Sequence, residues 1–125
     1  MIQTAIGELS FHIGFKKKIE VEFFGKKCVA ILKVCAYDEK DGITEEQLKT
    51  LENIQKNLKS QLALAEKMLV KFDGQAEAEK YIIRTLLVQR NGEFTFLCDD
   101  ENNEKMGIAI IVYPEDKIML QDEYL

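Results

Sequence analysis

The sequence predicts an α+β fold, with a mainly antiparallel sheet of about six to seven strands packed on one long helix plus a short second helix. Three features support this prediction: period-two alternation near the N-terminus, a single long helical segment after residue 43, and renewed strand patterns after residue 84. Helices grouped between two blocks of strands are typical of α+β domains. The expected order is three strands, two helices and then the remaining strands.

The first third of the chain has strand periodicity. Apolar and charged residues alternate from Lys18 to Phe23, which suits a strand with one wet face. A turn is expected around Gly25. The run CVAILKVCA, residues 28–36, is almost wholly apolar and predicts a central strand. Its even positions form a continuous apolar face of small and medium residues, which suits packing against a helix.

The long helix has the clearest start signal in the chain. Thr44 can cap it, Gln47 completes a capping box three residues later, and Ile43 with Leu48 can form a hydrophobic staple. Gly74 is expected to end it. About 28 residues would be ~42 Å long, so a bend or an overhang is expected. The apolar stripe predicted to face the sheet is Leu48, Leu51, Ile54 or Gln55, Leu58, Leu62, Ala65, Leu69 and Phe72.

The segment after Gly74 permits two interpretations. The first places a short helix at 76–83 and strands at 85–90 and 93–98, because Asn91-Gly92 between alternating apolar residues is a strong hairpin signal. The alternative is a helix that continues to Gln89. Further on, the sequence predicts a buried strand at 107–113, a turn at 114–116 and a last strand at 117–121.

Length and composition favour a single domain, residues 1–125. The N-terminus has no leader-like pattern, and no apolar run approaches the roughly 20 residues that span a bilayer. Three cysteines, Cys28, Cys35 and Cys98, form no C-x-x-C pair, and Cys28 and Cys35 should point to opposite faces of one strand. These features favour reduced thiols and a cytoplasmic location.

The net charge of −5 is unevenly distributed. Residues 1–33 carry six lysines against three acids, and residues 93–125 carry nine acids against two lysines. The net charge of the last third of the chain is therefore −7. A field of that sign disfavours nucleic acid and anionic membranes and favours a basic partner.

The residues give little support to catalysis or to a cofactor. His12 is the only histidine, and Ser10 could share a strand face with it, but no third partner is evident. One histidine and three scattered cysteines do not make a transition-metal site. The isolated glycines form no phosphate-binding loop. We predict no catalytic residue, no metal and no cofactor.

The acidic stretch LCDDENNEKMG, residues 97–107, has three interpretations. Its spacing lacks the alternating ligands of a calcium loop, and Lys105 adds a positive charge, so a solvated turn or a protein-binding rim is favoured over a metal site. The lysines at 16–18 and 26–27 suggest protection of a strand edge rather than nucleic-acid binding.

The order of these motifs resembles a family of small uncharacterised bacterial cytosolic α+β domains. The matching motifs are FGKKCVAILKV, ITEEQLKTLENI, NGEFTF, FLCDDENNEKMGIAIIVYPEDKI and a final QDEYL, over roughly residues 20 to 125. Some such domains are similar to immunity proteins of bacterial toxin systems, which act by binding a toxin. The resemblance therefore implies a non-enzymatic role, and it brings no catalytic residues.

Charge and resemblance together predict a protein-binding domain that captures a basic protein, such as a toxin, through an acidic surface. The predicted partner-binding residues are Asp99, Asp100, Glu101, Glu104, Glu115, Asp116, Asp122 and Glu123. Two alternatives remain open. One is a structural or self-associating domain that uses the long helix or a strand edge, and the other is a small enzyme that uses Asp, Glu, Tyr and Lys.

Overall fold

A computed structural model describes residues 2–12, 14–74, 76, 80–100 and 103–125, with only the backbone of residues 103–106. Four strands come first: β1 Ile2–Thr4, β2 Gly7–Phe11, β3 Phe15–Phe23 and β4 Lys26–Val34. A short 3-10 turn, Glu39–Asp41, leads to helix α1, Glu45–Phe72. Four more strands follow, β5 Tyr81–Val88, β6 Phe94–Asp100, β7 Asn103–Tyr113 and β8 Lys117–Leu120, and then helix α2, Gln121–Tyr124.

The strands form one eight-stranded sheet in sequence order, β1 to β8. Every neighbouring pair is antiparallel except β4 and β5, which are parallel because α1 connects them. The predicted α+β class, with one long and one short helix on a mainly antiparallel sheet, is confirmed. In the described part of the chain the sheet has eight strands rather than six or seven.

The hydrophobic core lies between α1 and one face of the sheet. The helix contributes buried Leu51, Ile54, Leu62, Ala65 and Leu69. The largest fully buried side chains of the sheet include Phe15, Leu32, Ile83, Phe94, Phe96, Ile108 and Ile110. The predicted even-position face of β4 is buried at Ala30, Leu32 and Val34 and half-buried at Cys28.

The start of α1 follows the prediction, and its end does not. The Thr44 hydroxyl accepts from the Gln47 N–H at 3.1 Å, and the Thr44 N–H donates to Gln47 Oε1 at 2.9 Å. The helix ends at Phe72 with Asp73 in an extended conformation, so Gly74 is not the cap. Leu48 and Phe72 belong to the predicted apolar stripe but are 40% and 48% exposed, because Gln47 takes the buried position in the first turn and Phe72 is the last residue of the helix.

The expected bend in α1 lies at Asn57, whose φ of −129° and ψ of 17° are not helical. On the exposed side of the bend, the side-chain amide of Asn57 donates a hydrogen bond to Asn53 Oδ1 at 2.6 Å. The bend allows a helix of this length to follow a twisted sheet.

The short second helix is not where the sequence placed it. Residues 81–83 belong to β5, residues 77–79 lie outside the described residues, and the short helix is α2 at the C-terminus. Strand β5 also excludes a helix that continues to Gln89. Between β5 and β6, Gly92 has a φ of +89°, and the Gln89 N–H donates to the Glu93 carbonyl, so three residues form the hairpin loop.

Candidate protein-binding surface

The sheet has a second face, which α1 does not cover; we call it the open face. Side chains alternate between the two faces along each strand. The registers of neighbouring strands therefore align the residues of the open face in rows across the sheet. The first row is Lys16, Lys33, Leu87, Thr95, Ile111 and Lys117. The second row is Lys18, Ile31, Thr85, Leu97, Ala109 and Met119. Both rows begin with lysine on β3 and are mostly apolar beyond β4.

Helix α2 covers the part of the open face formed by β6 and β7. Its first residue, Gln121, donates from Nε2 to the Cys98 carbonyl at 2.8 Å. Its last residue, Tyr124, receives hydrogen bonds at its hydroxyl from Gln89 Nε2 at 3.1 Å and from the buried Thr95 hydroxyl at 2.9 Å. The same hydroxyl donates to Glu93 Oε2 at 2.5 Å. These contacts hold a four-residue helix that could not form alone.

The hydroxyl of Tyr124 is consequently saturated, with two accepted bonds and one donated bond. Burial raises the pKa of Tyr124, and the hydrogen bond to Glu93 raises it further. The tyrosine therefore stays neutral and bonded at neutral pH. Its role is to fix α2 on the sheet.

Fixing α2 through Gln121 and Tyr124 turns Asp122 and Glu123 outward. Both side chains are exposed. Glu93 and Tyr124, together with Glu115 and Lys117, also line an open cavity of about 260 Å³ beside α2. This end of the open face thus presents several carboxylates around one lysine.

The predicted acidic residues do not form one continuous rim. Asp99 and Asp100 end β6, whereas Glu115 and Asp116 lie in the turn after β7, at the opposite end of the sheet. The 11 residues of β7 separate the two pairs by roughly 35 Å at about 3.3 Å per residue. Glu101 lies outside the described residues, and only the backbone of Glu104 is described.

Asp99 has a local partner that the sequence did not suggest. The Arg84 Nε donates to Asp99 Oδ2 at 3.0 Å, and both side chains are about half exposed, at 56% and 45%. Arg84 can face β6 because the register between β5 and β6 shifts between Ile83 and Thr85. The pair neutralises part of the acidic loop, which leaves Asp122 and Glu123 as the more accessible charges.

An apolar patch on the open face was also missed at the sequence level. Val29 is 62% exposed and Ile31 is 41% exposed on β4, outside the area under α2. Of the odd positions of CVAILKVCA, Val29, Ile31 and Cys35 are apolar and only Lys33 is charged, and that signal could have revealed a second, partly apolar face. Exposed apolar residues on a sheet face are typical of interaction surfaces.

The cysteines lack the environment of a reactive thiolate. Burial raises the pKa of Cys28, Cys35 and Cys98, whereas a nucleophilic cysteine has a lowered pKa. All three are free thiols. Ser10 and His12 are both exposed near the β2 end.

Within the described ranges, no cluster of three or more His, Cys, Asp or Glu could hold a metal ion. Within the Asp99–Glu104 loop, for which a metal site was one interpretation, residues 101 and 102 and the side chains of residues 103 and 104 lie outside the described residues. No described helix is long and apolar enough to cross a membrane.

Two further cavities are open clefts. One, of about 420 Å³, lies between the second half of α1 and β8 and is lined by Lys67, Met68, Lys71 and Asp116 among others. The other, of about 340 Å³, lies where β4 and β5 end, and its lining includes Cys35, Tyr37 and Arg90. The Arg90 guanidinium there donates to the Cys35 and Gly42 carbonyls at 3.1 and 2.8 Å, so its visible contacts are structural.

Comparisons of the chain with protein-family models, curated proteins and solved structures gave no match.

Proposed function

We propose that the chain is a non-enzymatic protein-binding domain that captures a basic protein through its acidic C-terminal third. The observation that carries this proposal is the outward projection of Asp122 and Glu123 from a helix that is fixed at both ends. Rigidly held charges lose little entropy on binding. They also speed the encounter with a positively charged partner.

The proposed surface consists of two regions. The main one is α2 with the neighbouring carboxylates Glu93 and Glu115. We include Asp116 because it follows Glu115 in the same turn, although it lines the cleft beside α1. The second is the end of β6, with Asp99 and Asp100, and we include Glu101 and Glu104 with it on sequence grounds. An immunity-like role, in which the domain neutralises a bacterial toxin, agrees with the resemblance and with this charge. A cytoplasmic location agrees with three cysteines that form no disulfide.

The proposal can be tested by affinity capture from native cell extract, with mass spectrometry to identify what is retained. We expect the wild-type chain to retain a protein of net positive charge. Asp122→Lys/Glu123→Lys should lose that protein. Glu45→Lys/Glu52→Lys, which makes the same charge change on exposed residues of α1, should retain it.

Retention of the same protein by both double variants would overturn the acidic-surface proposal. So would capture of a partner with a net negative charge. Because Asp122 and Glu123 are exposed, loss of folding is not expected to explain loss of capture, and thermal unfolding of each variant checks this.

A further inference from the structure

We propose that two copies of the chain associate through their open faces, around a two-fold axis that runs parallel to the strands near β5. This inference goes beyond the proposed function, because it concerns the purified chain with no other protein present. Both use Asp122 and Glu123, so self-association and capture of a basic protein compete for these carboxylates. Its basis is that the two halves of the open face are complementary in shape and in charge.

The complementarity in shape comes from the position of α2. The helix stands on β6 and β7, whereas the described side chains of β3 and β4 on the same face have no element above them. Val29 and Ile31 are exposed there. A two-fold axis parallel to the strands places the β6–β7 half of one copy over the β3–β4 half of the other. Each α2 would then fill the recess on its partner copy.

The complementarity in charge comes from the positions of the lysines in the two rows. Lys16 and Lys33 lie in the row of Thr95, and Lys18 and Ile31 lie in the row of Leu97. Helix α2 runs from Cys98 to Thr95, so Asp122 and Glu123 lie at the level of these two rows. Rotation about an axis parallel to the strands preserves that level. The two carboxylates of each copy therefore meet Lys16, Lys18 and Lys33 of the other.

The available area fits a stable dimer. Strands β3 to β7 are 7 to 11 residues long. Five strands spaced about 4.8 Å apart, each about nine residues long at roughly 3.3 Å per residue, outline a face of roughly 700 Å². Standard interfaces bury about 600–1,000 Å² per partner. Val29 and Ile31 would form the apolar centre of the interface. The pairs between carboxylates of α2 and lysines of the other copy would form its rim.

Sedimentation velocity of the purified chain at about 100 μM and low salt is the first measurement. We expect a species of twice the 14.4 kDa chain mass. Ile31→Glu should raise the dimer dissociation constant more than about tenfold, because it places a carboxylate in the apolar centre. Val70→Glu, at a 44% exposed apolar residue of α1, should leave it unchanged.

A charge swap tests the geometry itself. Asp122→Lys/Glu123→Lys and Lys16→Glu/Lys18→Glu should each be monomeric alone, since both contacts of each homodimer become repulsive. An equimolar mixture of the two should form a heterodimer in which both contacts are attractive.

A wild-type chain that stays monomeric would overturn the inference, as would a mixture that does not associate. Dimers that are insensitive to Ile31→Glu would also overturn it. All of these measurements use the purified chain, so their failure is separate from failure to capture a basic protein.

Discussion

At the scale of single residues, Glu66 holds the turn between β3 and β4. Its Oε1 accepts from the Phe24 N–H at 2.6 Å. Phe24 has a φ of +52°, a conformation that a bulky residue rarely adopts, and Gly25 follows at +77°. The carboxylate on α1 therefore helps to stabilise a strained turn that is 42 residues away in sequence.

We expect Glu66→Ala to lower the free energy of unfolding by about 1–3 kcal/mol, because the Phe24 N–H loses a charged acceptor. Glu66→Gln keeps an acceptor oxygen and should recover most of this. Glu52→Ala, at an exposed residue of the same helix, is the control and should change stability little. Urea unfolding of the three variants measures the effect, and equal values for all three would contradict it.

Tyr124 is the residue on which the position of α2 depends. Tyr124→Phe removes the hydroxyl that joins Gln89, Thr95 and Glu93, and it leaves the buried Thr95 hydroxyl without that acceptor. We expect a loss of about 1–3 kcal/mol in urea unfolding. Tyr37→Phe, at a fully exposed tyrosine, should have no effect. A similar result for both variants would show that the Tyr124 contacts contribute nothing.

The raised pKa of Tyr124 also predicts a pH dependence. Below the ordinary tyrosine pKa of about 10, the phenol is neutral in the folded and unfolded chains, and its contribution to stability is complete. Above it, the unfolded chain loses the proton first, so stability falls as pH rises through the folded pKa. Between about pH 8 and about pH 11, wild type should lose more unfolding free energy than Tyr124→Phe. Equal losses of unfolding free energy in wild type and Tyr124→Phe over this pH range would contradict the prediction.

At the scale of elements, the hairpin loop between β5 and β6 packs against the start of α1. The Thr50 hydroxyl donates to the Gly92 carbonyl at 2.5 Å, and the Thr44 hydroxyl donates to the Arg90 carbonyl at 2.8 Å. The amide of Gln47 donates to the Cys35 and Val88 carbonyls, at the ends of the two parallel strands. The N-terminal end of α1 therefore binds both the hairpin loop and the ends of the two parallel strands at the centre of the sheet.

Gly92→Ala should destabilise this junction by about 1–3 kcal/mol. A Cβ there would lie 2.9 Å from the Glu46 carbonyl oxygen, on a residue with a φ of +89°. Gly74→Ala is the matched control, since its Cβ would meet nothing within 4 Å. That change should be neutral or slightly stabilising. Thermal unfolding compares them, and a harmless Gly92→Ala would refute this description of the junction.

The elements that could be predicted from the sequence are those fixed by local chemistry. The Thr44 and Gln47 capping box and the Asn91-Gly92 turn depend on residues close in the chain, and both were found. The start of β5 and helix α2 depend on distant contacts instead. Tyr81 pairs with Asp100 on β6, and Gln121 bonds to Cys98 across the sheet, so local periodicity did not reveal either element.

At the scale of the whole molecule, the parallel β4–β5 pair divides the sheet into two antiparallel halves. The first half contains the lysine-rich strands, and the second contains the −7 segment. The sequence predicted this asymmetry of charge. It could not predict that the acidic residues would separate to opposite ends of β7, because that depends on the length and direction of one strand.

The most direct test of the acidic surface is the association rate constant of the captured basic protein, measured at about 50 and about 300 mM salt. For wild type and Glu45→Lys/Glu52→Lys we predict fast association that slows about tenfold or more at the higher salt. Asp122→Lys/Glu123→Lys should associate slowly at low salt and depend much less on salt. The acidic surface would be contradicted if that variant kept the wild-type rate and the wild-type salt dependence.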